Sequence, residues 1–237
     1  MTSKHSNWPL AAMAGLMLNS AVVFAEPISP ACWVDQVPQQ LIDVEGSGAI
    51  QGAWAVPSAL LMARLERAKA PQGILLAGYD VLSAQRICTD IQAAGLSQAK
   101  LVFGGRERLM ALQGAPAWDW LLVSTDKLAA NLLSGELSGL FIGKGKTVVG
   151  QGLEKSSLTE PSDVAARLID EQQQRFAPVV LFVSAQYQQK FFEFFSNNPL
   201  PGVFLSFDEA ESVRDVLNKY ASVSTDDQAR QLNYYCD

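Results

Sequence analysis

Histidine is almost missing from this chain. Its single copy, His5, lies in the N-terminal segment, and the three cysteines, Cys32, Cys88 and Cys236, are too widely scattered to form a metal-ligand spacing. A metal centre, which draws on His and clustered Cys, is therefore not expected. A serine relay, which needs an imidazole base, is not expected either, and no cofactor is implied. Basic residues are in the minority: Lys and Arg total 18 against 24 Asp and Glu, a formal charge of −6. A chain of that sign, with its basic residues dispersed, has no electrostatic footprint for nucleic acid or anionic lipid. Long apolar runs are the third scarcity. Beyond residue 25 none approaches the roughly 20 residues that span a bilayer, so the mature chain is expected to have no integral membrane segment.

The apolar run that does exist, residues 9–25 (PLAAMAGLMLNSAVVFA), follows a short polar start with Lys4 and ends on Val23 and Ala25, small residues of the kind a signal peptidase reads. As a membrane anchor it is short and is interrupted by Asn19 and Ser20; as a signal peptide it fits. Residues 1–25 are expected to be removed near Ala25, giving a periplasmic or secreted protein. Losing Lys4 leaves 17 basic residues against 24 acidic ones, a formal charge of −7. In an oxidising compartment the simplest arrangement is a Cys32–Cys236 disulfide tying the two ends together, with Cys88 buried and reduced. The competing reading, which sequence leaves open, is a terminal cysteine that is free and reactive or pairs between chains.

What is present is an alternation of short apolar strands and helices, the mark of an α/β fold with parallel strands, since a parallel neighbour requires a long crossover. Residues 26–40 read as an extended lead-in packed through Trp33. Leu41–Val44 is a strand, Ile50, Trp54 and Val56 supply apolar contacts, and Ser58 is a plausible N-cap for a helix to Lys69. The stretch Ile74–Gly95, ILLAGYDVLSAQRICTDIQAAG, is strand, six-residue loop and helix, with Ala84, Ile87, Cys88, Ile91 and Ala94 as the apolar stripe. Such a loop points backbone N–H groups at one spot, a natural cradle for an anion. A strand at 100–103 and the helix RERLMALQ follow.

The later half repeats this grammar. A helix capped at Ser124-Thr125-Asp126 precedes a strand at Leu140–Ile142, a Gly-rich connector over 143–152, and a helix over Pro161–Phe176 with Val164, Leu168 and Ile169 inward. Val179–Val183 is the strongest strand; QYQQKFFEFFSNN is a helix whose phenylalanines fill the core beside it. A strand at Val203–Leu205 and a helix at Asp208–Tyr220 close the unit. LID at 41 falls on LFI at 140, ILLA at 74 on VLFV at 180, and LVF at 101 on VFL at 203, which reads as an internal duplication. The organisation expected is residues 26–120, residues 121–222, and a polar tail, 223–237, docking through Tyr234 and Tyr235.

With those stretches in view, the first half resembles the rhodanese-like domain, the sulfurtransferase fold shared with some dual-specificity phosphatases. LIDVE at 41–45 is similar to the family's strand ending in Asp-Val-Arg, with Glu45 in place of Arg. GAIQGAWAVP at 48–57 is similar to its Gly-His-Ile-Pro-Gly-Ala segment, with Ala49 for the His and Gln51 for the Pro. ILLAGYDVLSAQRICTDIQAAG matches the strand, active loop and helix, and VFGG at 102–105 the Gly-Gly turn. TDKLAANLLSG resembles the helix that opens many second repeats. The resemblance implies a parallel-sheet rhodanese-like fold, duplicated in tandem.

The departures bear on function. The family's nucleophilic Cys falls on Gly78, its loop Gly on Val81 and its Arg on Ser83; the second-repeat equivalent of the nucleophile is Ser184. None supplies a thiolate or a guanidinium fork. Cys88 lies well inside the helix on its apolar side and reads as structural. Asp43 and Glu45 read as a strand-end Asp holding loop amides and a solvated Glu. The expectation is a catalytically inactive rhodanese-like protein, acting in binding or envelope assembly with a possible envelope protein partner. Residues Gly78, Tyr79, Asp80, Val81, Leu82 and Ser83 are the candidate ligand loop. The alternative is a thiol-redox or sulfur-handling accessory using Cys32 and Cys236.

Overall fold

Val179–Val183 reads VVLFV, apolar at every position, and every one of its side chains is buried. A strand with no polar face must be covered on both sides, which parallel sheets flanked by helices achieve. The computed structural model describes residues 30–234 apart from positions 47, 49, 144–152 and 175–177, and contains two such sheets. The N-terminal segment expected to be a signal, Cys236, Tyr235 and most of the Gly-rich connector lie outside the described residues.

The first sheet holds β1 (Trp33–Val34), β2 (Gln40–Val44), β3 (Ala53–Val56), β4 (Gln72–Leu75) and β5 (Ala99–Val102) in the order β1-β5-β4-β2-β3. The second holds β6 (Ser138–Ile142), β7 (Leu153–Ser156), β8 (Val179–Val183) and β9 (Val203–Ser206) in the order β7-β6-β8-β9. All pairings in both sheets are parallel. The connecting helices are α1 (Ser58–Arg67), α2 (Val81–Ala93), α3 (Gly105–Leu112), α4 (Ala117–Trp120), α5 (Thr125–Ser134), α6 (Pro161–Gln174), α7 (Gln188–Asn197) and α8 (Ala210–Tyr234).

The order β5-β4-β2-β3 recurs as β9-β8-β6-β7, so the segments that align in sequence occupy equivalent places in the two sheets. Even β1 has a counterpart, because Leu122 bridges Leu205 in parallel beside β9, as β1 lies beside β5. In each sheet the chain leaves two adjacent central strands in opposite directions. That opens a crevice at the carboxyl ends of β2 and β4 and another at those of β6 and β8, the places where α/β folds hold ligands.

Several expectations need correction. Trp54 is 57% exposed, because β3 is the sheet's outer strand, and its ring stacks under the Arg64 guanidinium at 4.0 Å. Ile169 faces outward on α6. Ser58 is the first helical residue after Pro57 and makes no side-chain cap. The segment after Ser222 is a continuation of α8 to Tyr234. Phe191 and Phe195 are fully buried beside β8, as their spacing implied, since residues four apart share a helix face.

Candidate functional site

The segment between β4 and α2 is shorter than the sequence suggests. Asp80 ends it: its Oδ1 accepts the Ser83 N–H at 3.1 Å, the standard way to satisfy a first-turn amide. Val81, Leu82 and Ser83 are consequently the first turn of α2. Asn131, buried on α5, places its Oδ1 3.1 Å from the Val81 nitrogen and 3.3 Å from the Leu82 nitrogen and accepts from both. The Gly78 N–H donates to Glu107 Oε2 at 2.6 Å, and the Asp80 N–H to the Ala77 carbonyl at 2.9 Å. The amides of Gly78, Asp80, Val81, Leu82 and Ser83 are thus bonded to the protein itself. Tyr79 turns away to the later half, edge-on to Phe204 of β9 at 5.5 Å. About 10 Å³ is left against the loop, no more than one water needs.

Gly78 has no space for a side chain. A Cβ there would lie 2.7 Å from the Gly104 carbonyl oxygen and 3.1 Å from Glu107 Oε2. Gly105 is under the same constraint, since its φ is +62° and a Cβ would meet the Leu76 oxygen at 2.5 Å. Those two close approaches bring the N-terminus of α3 onto the end of β4 and deliver Glu107 to the cradle. Burial pushes the Glu107 carboxyl up to about 7, against the lowering effect of the Gly78 N–H, its own amide and Arg106; Asp43 adds a further upward push. The Tyr79 phenol is raised as well, by burial first and then by the Glu107 charge.

Arg106, next on the same turn, reaches into the crevice between β2 and β4. Its guanidinium donates from Nε to Asp43 Oδ1 at 2.8 Å and from Nη2 to the Val44 carbonyl at 2.8 Å. Asp43 is buried, and its Oδ2 finds no hydrogen-bond donor among the described residues. This pair stands where sequence reasoning placed a carboxylate holding loop amides. Glu45 is not simply solvated: with φ at 55° it swings its Oε1 to accept the Ser58 N–H at 2.7 Å, capping α1 and lowering its own pKa.

In the later half Ser184 follows β8 at the position equivalent to Gly78. Its Oγ donates to the Ile142 carbonyl at 2.7 Å, and its N–H bonds the same oxygen at 3.2 Å. A hydroxyl committed to a carbonyl, with no imidazole among the described residues, is a structural link between β6 and β8. The crevice beside it is a cavity of about 280 Å³ bordered by Lys155, Gln188 and Asp208. Asp208 Oδ2 accepts from the Thr125 N–H at 2.8 Å and the Thr125 Oγ1 at 2.6 Å. It caps α5 from across the fold, while Ser124, the cap expected from local sequence, makes no side-chain bond.

No protein-family model and no curated protein matches this chain. Geometry alone therefore carries the functional reading.

Cys32 is bonded to Cys88, with their Cα atoms 5.7 Å apart, which corrects the expected Cys32–Cys236 pairing. Cys88 is on the buried face of α2, as its place in the apolar stripe implied, but that face is covered by the lead-in carrying Cys32. Among the described residues no group of three or more His, Cys, Asp or Glu is placed to hold a metal ion, and no helix is long and apolar enough to cross a membrane. Arg106, Glu107, Asn131 and Asp208 were missed from sequence. Asn131 alone left a local signal, a polar residue between the apolar positions Leu128 and Leu132.

Proposed function

We propose that this is a catalytically silent rhodanese-like protein whose task is binding, exported to the periplasm or secreted, where it works with another envelope protein. One observation carries the reading: the cradle at Gly78 is filled from within. A sulfurtransferase loop requires a nucleophile ringed by free N–H groups and open to substrate. Here Glu107 and Asn131 take those N–H groups, and Gly104 blocks any side chain at position 78. Tyr79 further commits the loop to the contact between the two sheets. A loop used as a joint is retained for shape, and shape without chemistry supports recognition.

Purified protein given thiosulfate and cyanide is expected to form no thiocyanate above the buffer rate. Thiocyanate formation that saturates with thiosulfate and scales with protein concentration would overturn the proposal. Export is tested by N-terminal sequencing of protein recovered from the periplasm or medium, expected to begin at Glu26. Recovery only with an intact N-terminus in the cytoplasm would remove that part.

A further inference from the structure

Glu107 has a second side. Away from Gly78 it borders a cavity of about 270 Å³ between α3 and α4 of the first half and the 199–204 segment leading into β9. The walls are apolar: Ala111, Leu112, Trp120, Leu200 and Phe204. Two prolines, Pro199 and Pro201, restrict the backbone of one wall, so the cavity is formed before anything enters it. Its volume is just below that of usual ligand sites, which run from about 300 to 1,000 Å³, so its occupant is small.

The polar groups at this cavity are of unequal standing. Arg108 is engaged, donating from Nη1 to the Phe103 carbonyl at 3.0 Å with Asp35 at 3.9 Å. Arg106 is spent on Asp43 and Val44. Glu107 has no basic side chain within 4.0 Å among the described residues. It accepts from Gly78 and from its own amide, and a carboxylate has room for about four hydrogen bonds. Arg106 acts on it only through space, opposed by Asp43, and the Tyr79 phenol faces it without neutralising it. A buried carboxylate with no cation in contact, at the edge of an apolar slot, is complementary to a cation with an apolar body.

We propose that this cavity binds a small apolar molecule carrying a primary amine, its ammonium seated on the Glu107 carboxylate and its body against Trp120, Leu200 and Phe204. The proposal rests on reading the protein as a binding protein and gives that binding a ligand class. The ammonium takes the place of a proton on Glu107, so association strengthens as the carboxyl ionises.

Isothermal titration calorimetry on the purified protein tests this with three probes of one shape: 2-phenylethylamine, 2-phenylethanol and 3-phenylpropionate. At pH 8 the amine is expected to bind at least tenfold more tightly than either of the others. Moving from pH 8 to pH 6 is expected to weaken the amine by about tenfold and to leave the alcohol unchanged. Glu107→Gln is expected to remove the amine's advantage while the alcohol binds as before; the pH comparison on the unaltered protein gives the same discrimination without a variant. Equal affinities, a preference for the acid, or no binding of any probe at millimolar concentration each overturn the proposal. If the amine fails while thiocyanate is still not formed, the ligand class is wrong and the silent-binding reading stands; thiocyanate formation strikes that reading instead.

Discussion

Replacing Glu107 with glutamine isolates the electrostatics of the filled cradle. In the folded protein burial lifts the carboxyl from the ordinary 4.5 to about 7. At roughly 1.4 kcal/mol per pKa unit, the folded state disfavours the ionised form by about 3–4 kcal/mol relative to the unfolded chain. Between those two pKa values the native state holds more protons than the unfolded state, so stability falls as pH rises. The favourable contribution is complete below pH 4.5 and is lost as pH passes through about 7. Glutamine cannot ionise. Its amide oxygen still accepts the Gly78 N–H, and its NH2 faces the residue's own amide less well, a penalty that does not depend on pH. Urea unfolding of both proteins from pH 5 to pH 8, with the disulfide intact, therefore has a definite expected outcome. The parent should lose about 2–3 kcal/mol relative to the variant across that range, a midpoint shift on the order of 1 M urea. Most of the change should fall below pH 7.5. If the two stability profiles run parallel, the carboxyl is solvated, and the account of a cradle closed by Glu107 fails.

Gly78→Cys introduces a thiol where the resembled rhodanese-like loop carries one but drives a Cβ to 2.7 Å from the Gly104 oxygen. Overpacking of that kind costs about 1–3 kcal/mol, so the variant should unfold at lower urea and form no thiocyanate; a variant of parental stability that gains activity contradicts the closed-loop geometry. Asn131→Ala orphans the Leu82 amide and leaves the Val81 amide only its bond to the Tyr79 carbonyl at 3.1 Å, and should lower stability by about 1–3 kcal/mol, with hydrogen exchange accelerated most at Leu82 by mass spectrometry. Non-reducing peptide mapping should recover Cys32 linked to Cys88. Breaking that link with Cys32→Ser, across a sequence separation of 56, should destabilise by up to about 4 kcal/mol on the loop-entropy scale; a map linking Cys32 to Cys236 contradicts the structure.

The strands and most helices were legible because their causes are local. VVLFV can only be a strand covered on both faces, and Ala84, Ile87, Cys88 and Ile91 recur at helical spacing, so the α/β alternation, the parallel sheets and the core side of α2 follow from residue type and period. The matching order of the two halves was legible too, since strands at the same place in each sheet carry similar apolar runs in the same order. Element ends were less so: Ser58 and Ser124 are good caps by type, yet Glu45 and Asp208 supply the bonds at those helix starts, from 13 and 83 residues away.

By itself, then, the sequence determined that a strand–loop–helix cradle is present and that glycine stands where the rhodanese-like domain it resembles carries its nucleophile. Only the tertiary structure decided what became of it. Whether a ring of N–H groups is open depends on which side chains the fold brings to it, and those come from the start of α3 and from α5, separated in sequence from Gly78 and Val81 by 29 and 50 residues. The cysteine pairing was decided in the same way, since a disulfide needs proximity and the turn carrying Cys32 packs on the buried face of α2. Residue type and period act over a few neighbours along the chain, whereas an acceptor for a buried amide is selected by where the whole chain packs.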